Sequence, residues 1–383
     1  MRGMASRQEE RLGRLLRGMA GRGVDGLLVA VPENSYYLSG FQAITYSRPV
    51  LLWASGDPFL VVPELEEGHA RERSLVRDLA IYSDLEMGRK SPLRLALDRL
   101  AAQLRGRGVR RAGFEPAAFD LTGHEALREA VAADLVPVPG LVEKLRMVKD
   151  EEEIGFLREM AAVADAGIEA AMAATRPGAT EVELAAVAYA AMAREAVSRR
   201  PLWRFRFASR PVSGAKSAIP HTMQDGKRVE AGDVVIHETG GSAEGYYVEV
   251  ERTCVVGVTT VQQERLFAAM LRAFETARDA ARPGVACSEV DRAARAVLEE
   301  EGLLAFVRHR TGHGLGLHYH EPPYFSAGDE TVLEPGMVMS VEPGIYVPGV
   351  GGFRHSDTFV VTERGLHSLS HVPLTLPSLT LRA

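Results

Sequence analysis

At 383 residues, with 46% hydrophobic and 25% charged side chains, the chain has soluble globular composition and exceeds the usual size of a single core, so two domains are expected. A net charge of −6 excludes a basic stripe for nucleic acid and a cationic face for a membrane, and no apolar run approaches a membrane span. Two cysteines, Cys254 and Cys287, cannot build a disulfide framework, which points to a reducing, cytoplasmic setting.

In chain order, the N-terminal residues read as an amphipathic helix and not a signal peptide, with helical spacing over Glu9–Met19. Val24–Val31 follows as a buried strand ending at Pro32. Pro49–Ala54 and Phe59–Pro63 read as two further apolar strands, separated by a polar hinge at Ser55–Pro58. A helix around Arg94–Arg105 and a strand-like VRRAGFE complete an α/β layer pattern. The charged stretch Leu145–Glu153 marks a boundary, giving residues 1–148 and 149–383 as the two domains. Beyond it, Ile154, Leu157, Ala161, Ala164, Ile168 and Met172 share a helical face, stopped by Arg176-Pro177-Gly178. Thr180 and Glu183 then form a capping box, in which each side chain satisfies a free backbone donor of the next helix.

The second half repeats itself. TRPGATEVELAA is echoed by ARPGVACSEVDRAA, AGDVVIHETGG by PGMVMSVEPGI, and ERTCVV by SDTFVV, with Glu238 and Glu342 separated by 104 residues and the last two segments by 105. Two units with matched glutamates imply a pseudo-twofold domain whose carboxylates converge on one cleft. That cleft would gather His221, Glu238, Glu249, Glu251, His313, His320 and Glu342, with a neutral Ser356 at its end. Glu249 and Glu251 lie two apart, so a strand points both to one face, where like charges require a metal, a bound cation or a shared proton. His313 sits in a glycine-rich turn with imidazoles at 309, 318 and 320, and His318 reads as structural or exposed.

These motifs resemble the pita-bread superfamily that contains aminopeptidase P, prolidase, methionine aminopeptidase and creatinase. The resemblance rests on NSYYLSGF, Ser47-Arg48-Pro49, MVKDEEEI, TGHGLGL and LEPGMVMSVEPGIY, and covers nearly the whole chain. It implies a small α/β N-terminal domain followed by an α+β pita-bread catalytic domain, usually in a homodimer. The five metal-ligand positions of the metallopeptidases fall, by resemblance, at Glu238, Glu249, His313, Glu342 and Ser356. Two aspartates have thus become longer glutamates, and the bridging acid has become a hydroxyl that keeps its proton. GYYVEVERT is similar to the corresponding segment of creatinase, which works without metal.

The expectation drawn from these departures is a metal-independent, creatinase-like hydrolase of a C–N bond in a small cationic or amino-acid-like substrate. His221 would shuttle the proton, and Glu251 and Glu342 would clamp the cationic group. Glu238, Glu249, His313 and His320 would line the pocket, with Tyr46 and Arg48 reaching the neighbouring subunit's substrate. No cofactor is expected on this reading. The alternative is an Xaa-Pro dipeptidase or aminopeptidase with an altered site for Mn, Co or Zn on Glu238, Glu249, His313 and Glu342, in which Glu251, the repeat mate of Ser356, supplies the missing carboxylate. A second alternative is a non-catalytic pita-bread binding module.

Overall fold

A computed structural model describes residues 2–44, 47–83, 85 and 88–383, and the chain divides into two compact units, Met1–Arg146 and Met147–Ala383. The first contains helices α1 (Arg2–Met19), α2 (Pro32–Ser39), α3 (Glu67–Arg73), α4 (Pro92–Gly106) and α5 (Leu121–Ala130), and α6 (Leu141–Met147) runs to its end. Its strands are β1 (Gly26–Val29), β2 (Leu51–Ala54), β3 (Phe59–Pro63), β4 (Asp78–Tyr82), β5 (Arg111–Phe114) and β6 (Asp134–Pro137), in sheet order β4-β3-β2-β1-β5-β6. Strands β1 to β3 are buried along their whole length, as continuous apolar runs require. Helix α2 was not expected. Pro32 starts it with a pre-set φ, and Gly40, at φ 69°, ends it in the left-handed conformation that a glycine adopts without steric cost.

The second unit opens with a helical hairpin, α7 (Glu151–Ala174) and α8 (Glu181–Arg199), whose starts are fixed by capping boxes at Asp150/Glu153 and Thr180/Glu183. Strands β7 (Phe205–Ser209), β8 (Val212–Ser213), β9 (Val234–Ala243) and β10 (Tyr246–Val256) follow. A second hairpin, α9 (Val261–Ala280) and α10 (Cys287–Glu300), precedes β11 (Gly312–Gly314), β12 (Glu321–Phe325), β13 (Val338–Val341), β14 (Gly344–Val347), β15 (Gly351–Arg354), β16 (Ser356–Thr362) and β17 (Gly365–Ser368). A short α11 (Leu376–Leu379) and β18 (Thr380–Leu381) close the chain. One mixed sheet runs β12-β11-β13-β16-β10-β9-β7, with β17, β18 and β8 added on β16, β10 and β9, while β14 and β15 form a separate hairpin.

The internal repeat is visible in this sheet. Each half supplies a helical hairpin and then its glutamate-bearing strands. The halves meet where β10 pairs with β16, and there the repeat mates Glu251 and Ser356 stand opposite one another. A pseudo-twofold between two antiparallel strands places equivalent residues in that way. Apolar side chains of α9 and α10 pack under β13, β15 and β16 around Phe274, Phe353 and Phe359, so the acid-bearing strands rest on a rigid core. Among the described residues, no helix is long and apolar enough to cross a membrane.

Candidate active site

Strand β10 carries Glu249 and Glu251 on one face, and both are buried. The sheet surrounds them with two different kinds of neighbour.

On the Glu249 side stands His313, in the short strand β11. Gly312 lets that strand lie tight against β13, since a side chain there would begin 2.2 Å from the Ser340 carbonyl oxygen. The ring is oriented from behind by its Nδ1, which is 3.0 Å from the Gly314 carbonyl. Its Nε2 points between two acids, 3.2 Å from Glu342 and 3.5 Å from Glu249, yet this buried nitrogen makes no well-formed hydrogen bond. The Ser356 hydroxyl donates to Glu249 at 2.9 Å. His320 lies at the exposed edge, its ring 4.1 Å from that of His313. Ligand atoms of Glu249, His313 and His320 all lie within 4.8 Å of one another. Burial pushes the His313 imidazole toward its neutral form, but Glu249 and Glu342 outweigh that and raise its pKa. Burial and the neighbouring His313 instead lower His320 to about 4, leaving it neutral and able to coordinate at physiological pH.

On the Glu251 side the neighbours are arginines. Arg354, at the end of β15, grips Glu251 with two parallel hydrogen bonds, the Nη2 contact measuring 2.5 Å. Its remaining groups reach the Tyr346 hydroxyl at 2.7 Å and Glu238 at 3.1 Å. Arg210 holds the same Glu238 oxygen, with Nε 3.0 Å away. Burial drives the Glu251 carboxyl upward, and the forked contact with an always-charged guanidinium opposes it. His309 continues the chain of contacts: its Nδ1 faces the Arg310 carbonyl at 2.7 Å, leaving Nε2 to accept from the Tyr346 hydroxyl at 2.8 Å.

The sheet therefore brings together Glu238, Glu249, Glu251, His313, His320, Glu342 and Ser356. It leaves His221 in an exposed turn, and among the described residues no hydrogen bond or ion pair ties that ring to the cluster. His318 is exposed. Arg48 is a half-buried residue of the N-terminal unit, and Tyr46 lies outside the described residues. Arg354, Arg210 and the Tyr346–His309 pair were not assigned roles from sequence. A signal for Arg354 was present: a basic residue two positions before Ser356 in GGFRHSDT, beside four acids to neutralise.

A model of metallopeptidase family M24 matches residues 155–363, and a creatinase/prolidase N-terminal domain matches residues 11–148. The chain belongs to metallopeptidase family M24. It is 31% identical over 361 residues to an Xaa-Pro dipeptidase of Pyrococcus horikoshii, a match covering 94% of this chain and 97% of that protein. An Xaa-Pro dipeptidase from Bacillus anthracis superposes with a TM-score of 0.86 at 28% identity, over 98% of this chain and all of that one. Dipeptidase PepE from Mycobacterium ulcerans gives a TM-score of 0.84 at 32% identity, over 99% of each chain. The M24 fold thus carries the two-domain, pseudo-twofold architecture expected, and the chain is a hydrolase acting on C–N bonds.

The expectation of a metal-independent, creatinase-like reaction is overturned, because the Pyrococcus horikoshii and Bacillus anthracis relatives, matched over nearly their whole length, are Xaa-Pro dipeptidases. The geometry supplies a physical reason. Glu251 and Glu342 do not form a free clamp for a cationic substrate, since Arg354 already holds both oxygens of Glu251. On the metal alternative, Arg354 takes both oxygens of Glu251, the two arginines share one oxygen of Glu238, and His320 joins Glu249 and His313 as a further candidate ligand. With its Nδ1 fixed by a carbonyl and its Nε2 unpartnered between carboxylates, His313 fits a divalent ion shared with Glu249 and His320.

Proposed function

We propose that the chain is an Xaa-Pro dipeptidase-type peptidase with an altered divalent-metal site, built on Glu249, His313 and His320 with Glu342 beside them. The carrying observation is the buried, unpartnered His313 Nε2 between two carboxylates. Nitrogen and carboxylate donors of this kind suit Mn, Co or Zn. Glu249, His313 and His320 would hold the ion, which would supply Lewis-acid polarisation and lower the pKa of a water toward neutral.

The chain's own groups do the rest. Ser356 orients the Glu249 carboxylate by donating to it, and the Gly314 carbonyl orients His313. Tyr346, fixed between Arg354 and His309, presents a hydroxyl of set direction within electrostatic reach of Glu342. Burial pushes the Glu342 carboxyl upward, but the His313 imidazole and nearby cations outweigh it and hold Glu342 ionised beside the candidate metal site. The proposal also includes a cytoplasmic setting, which suits the two buried free thiols, and a homodimer, which light scattering at micromolar concentration would refute by showing a monomer.

The test is direct. Protein stripped with chelator should lose hydrolysis of Xaa-Pro dipeptides and regain it with Mn²⁺, Co²⁺ or Zn²⁺. Activity indifferent to chelator, or no Xaa-Pro cleavage with any of these ions, would overturn the proposal.

A further inference from the structure

Resting on that reading, we infer that Arg354, clamped by Glu251 and Glu238 and backed by Arg210, is a built-in cation that closes half of the cleft to metal, so that the site takes a single divalent ion.

Charge balance is the first support. Four carboxylates, Glu238, Glu249, Glu251 and Glu342, are gathered around Arg354 and His313. Glu238 and Glu251 face two guanidiniums, so that half is already neutral. Glu249 and Glu342 face imidazoles alone among these contacts, and one doubly charged ion would neutralise them. A second ion would have to enter beside a fixed positive charge that is 5% exposed and cannot deprotonate.

Position is the second. On the paired strands β10 and β16, Glu251 and Ser356 are opposite residues, and Glu251 is also opposite Glu238 on β9. The acid at 251 and the hydroxyl at 356 therefore exchange roles across the pseudo-twofold. Ser356 adds no charge and turns its hydroxyl to Glu249, while Glu251 turns away from His313 to Arg354. Donor direction is the third support. The oxygens of Glu251 are both engaged by Arg354, and one oxygen of Glu238 receives both arginines, so three of the four carboxylate oxygens on this side already accept N–H donors. Around His313 the reverse holds, with an unpartnered nitrogen and acceptor oxygens converging.

The experiment counts metal. Full-length protein is loaded with Mn²⁺, desalted, and read by elemental analysis and electron paramagnetic resonance. The wild type should hold about one ion per chain with the six-line spectrum of an isolated ion. Two ions with an exchange-coupled spectrum would overturn this inference while leaving the peptidase reading intact; no bound ion would overturn both. Arg354→Met, which removes the resident cation, should admit a second ion, and a folded variant that stays at one would count against Arg354. Should that variant fail to fold, Ser356→Glu still decides. It restores an acid while keeping Arg354, so it should remain near one ion per chain, and a gain to two would show that the missing acid, not the arginine, set the number.

Discussion

The two sides of the cleft carry the same kind of residue in opposite electrical states. Glu251 is neutralised by a guanidinium from its own fold, whereas Glu249, two residues away on the same strand, faces a histidine with an unpartnered nitrogen. Burying a charge with a fixed partner yields structure; burying it against a titratable, polarisable ring leaves capacity to bind. The difference between a structural acid and a functional one therefore lies in what stands across from it, not in its own depth, since both are buried to nearly the same degree.

The largest expected effect tests the histidine side. His313→Ala removes the nitrogen that Glu249 and Glu342 converge on, and a bound ion's several kcal/mol of transition-state stabilisation goes with it, so Xaa-Pro hydrolysis should fall by about 10³-fold or more. The fold should survive, because the ring anchors no apolar cluster. Steady-state kinetics under saturating Mn²⁺ measures this, and retention of even a tenth of the activity would break the comparison.

The arginine side should answer in stability. Glu251→Gln leaves the buried Arg354 guanidinium without its charged partner, at a cost of about 3–5 kcal/mol. Urea unfolding should show that loss, while metal affinity at the Glu249 side changes far less. The double variant Glu251→Leu/Arg354→Met should recover most of the stability, because a matched apolar pair replaces a matched ionic one. If Glu251→Gln instead abolished metal binding and left stability untouched, the two sides would have been assigned the wrong way round.

Much of this arrangement was legible in the sequence. The matched glutamates Glu238 and Glu342 and the glycine-bounded strands around them encode the pseudo-twofold directly, because a repeat preserves spacing that survives folding. The Thr180/Glu183 capping box was legible because both partners sit within one turn. The pairing of Glu251 was not. Its partner lies 103 residues away, and Glu238 lies 116 from the same arginine, so no local pattern connects them. Without Arg354 in view, Glu251 reads with Glu342 as a clamp for a cationic substrate, and the longer side chains at 238 and 249 and the neutral Ser356 point toward a metal-free reaction. Helix α2 escaped for a different reason: eight residues with no strong apolar period carry little signal beyond Pro32 and Gly40.

The same contrast can be sharpened outside the cleft, at the smallest expected effect. Glu115, in the N-terminal unit, is buried like Glu251 but is met by uncharged donors: the backbone N–H groups of Ala30 and Val31, each at 2.9 Å, and the Asn34 amide at 2.6 Å. Burial raises its pKa from 4.5 to about 7, with those donors pulling the other way and Glu143 adding to the rise. The sign follows from linkage. A carboxyl that binds its proton more tightly when folded contributes stability that is complete below about pH 4.5 and is lost as the pH rises through about 7. The span is on the order of 3 kcal/mol at most. Urea titrations at a series of pH values, followed by the fluorescence of Trp53 in a Trp203→Phe background, read this unit by its buried indole. The wild type should lose stability between pH 5 and 8, and Glu115→Gln, which cannot ionise, should be flatter over that range even if its baseline is lower. An identical slope in both proteins would mean that hydrogen-bond dipoles alone keep Glu115 charged. A buried acid would then need no guanidinium, and the contrast between Glu251 and Glu249 would lose its physical basis.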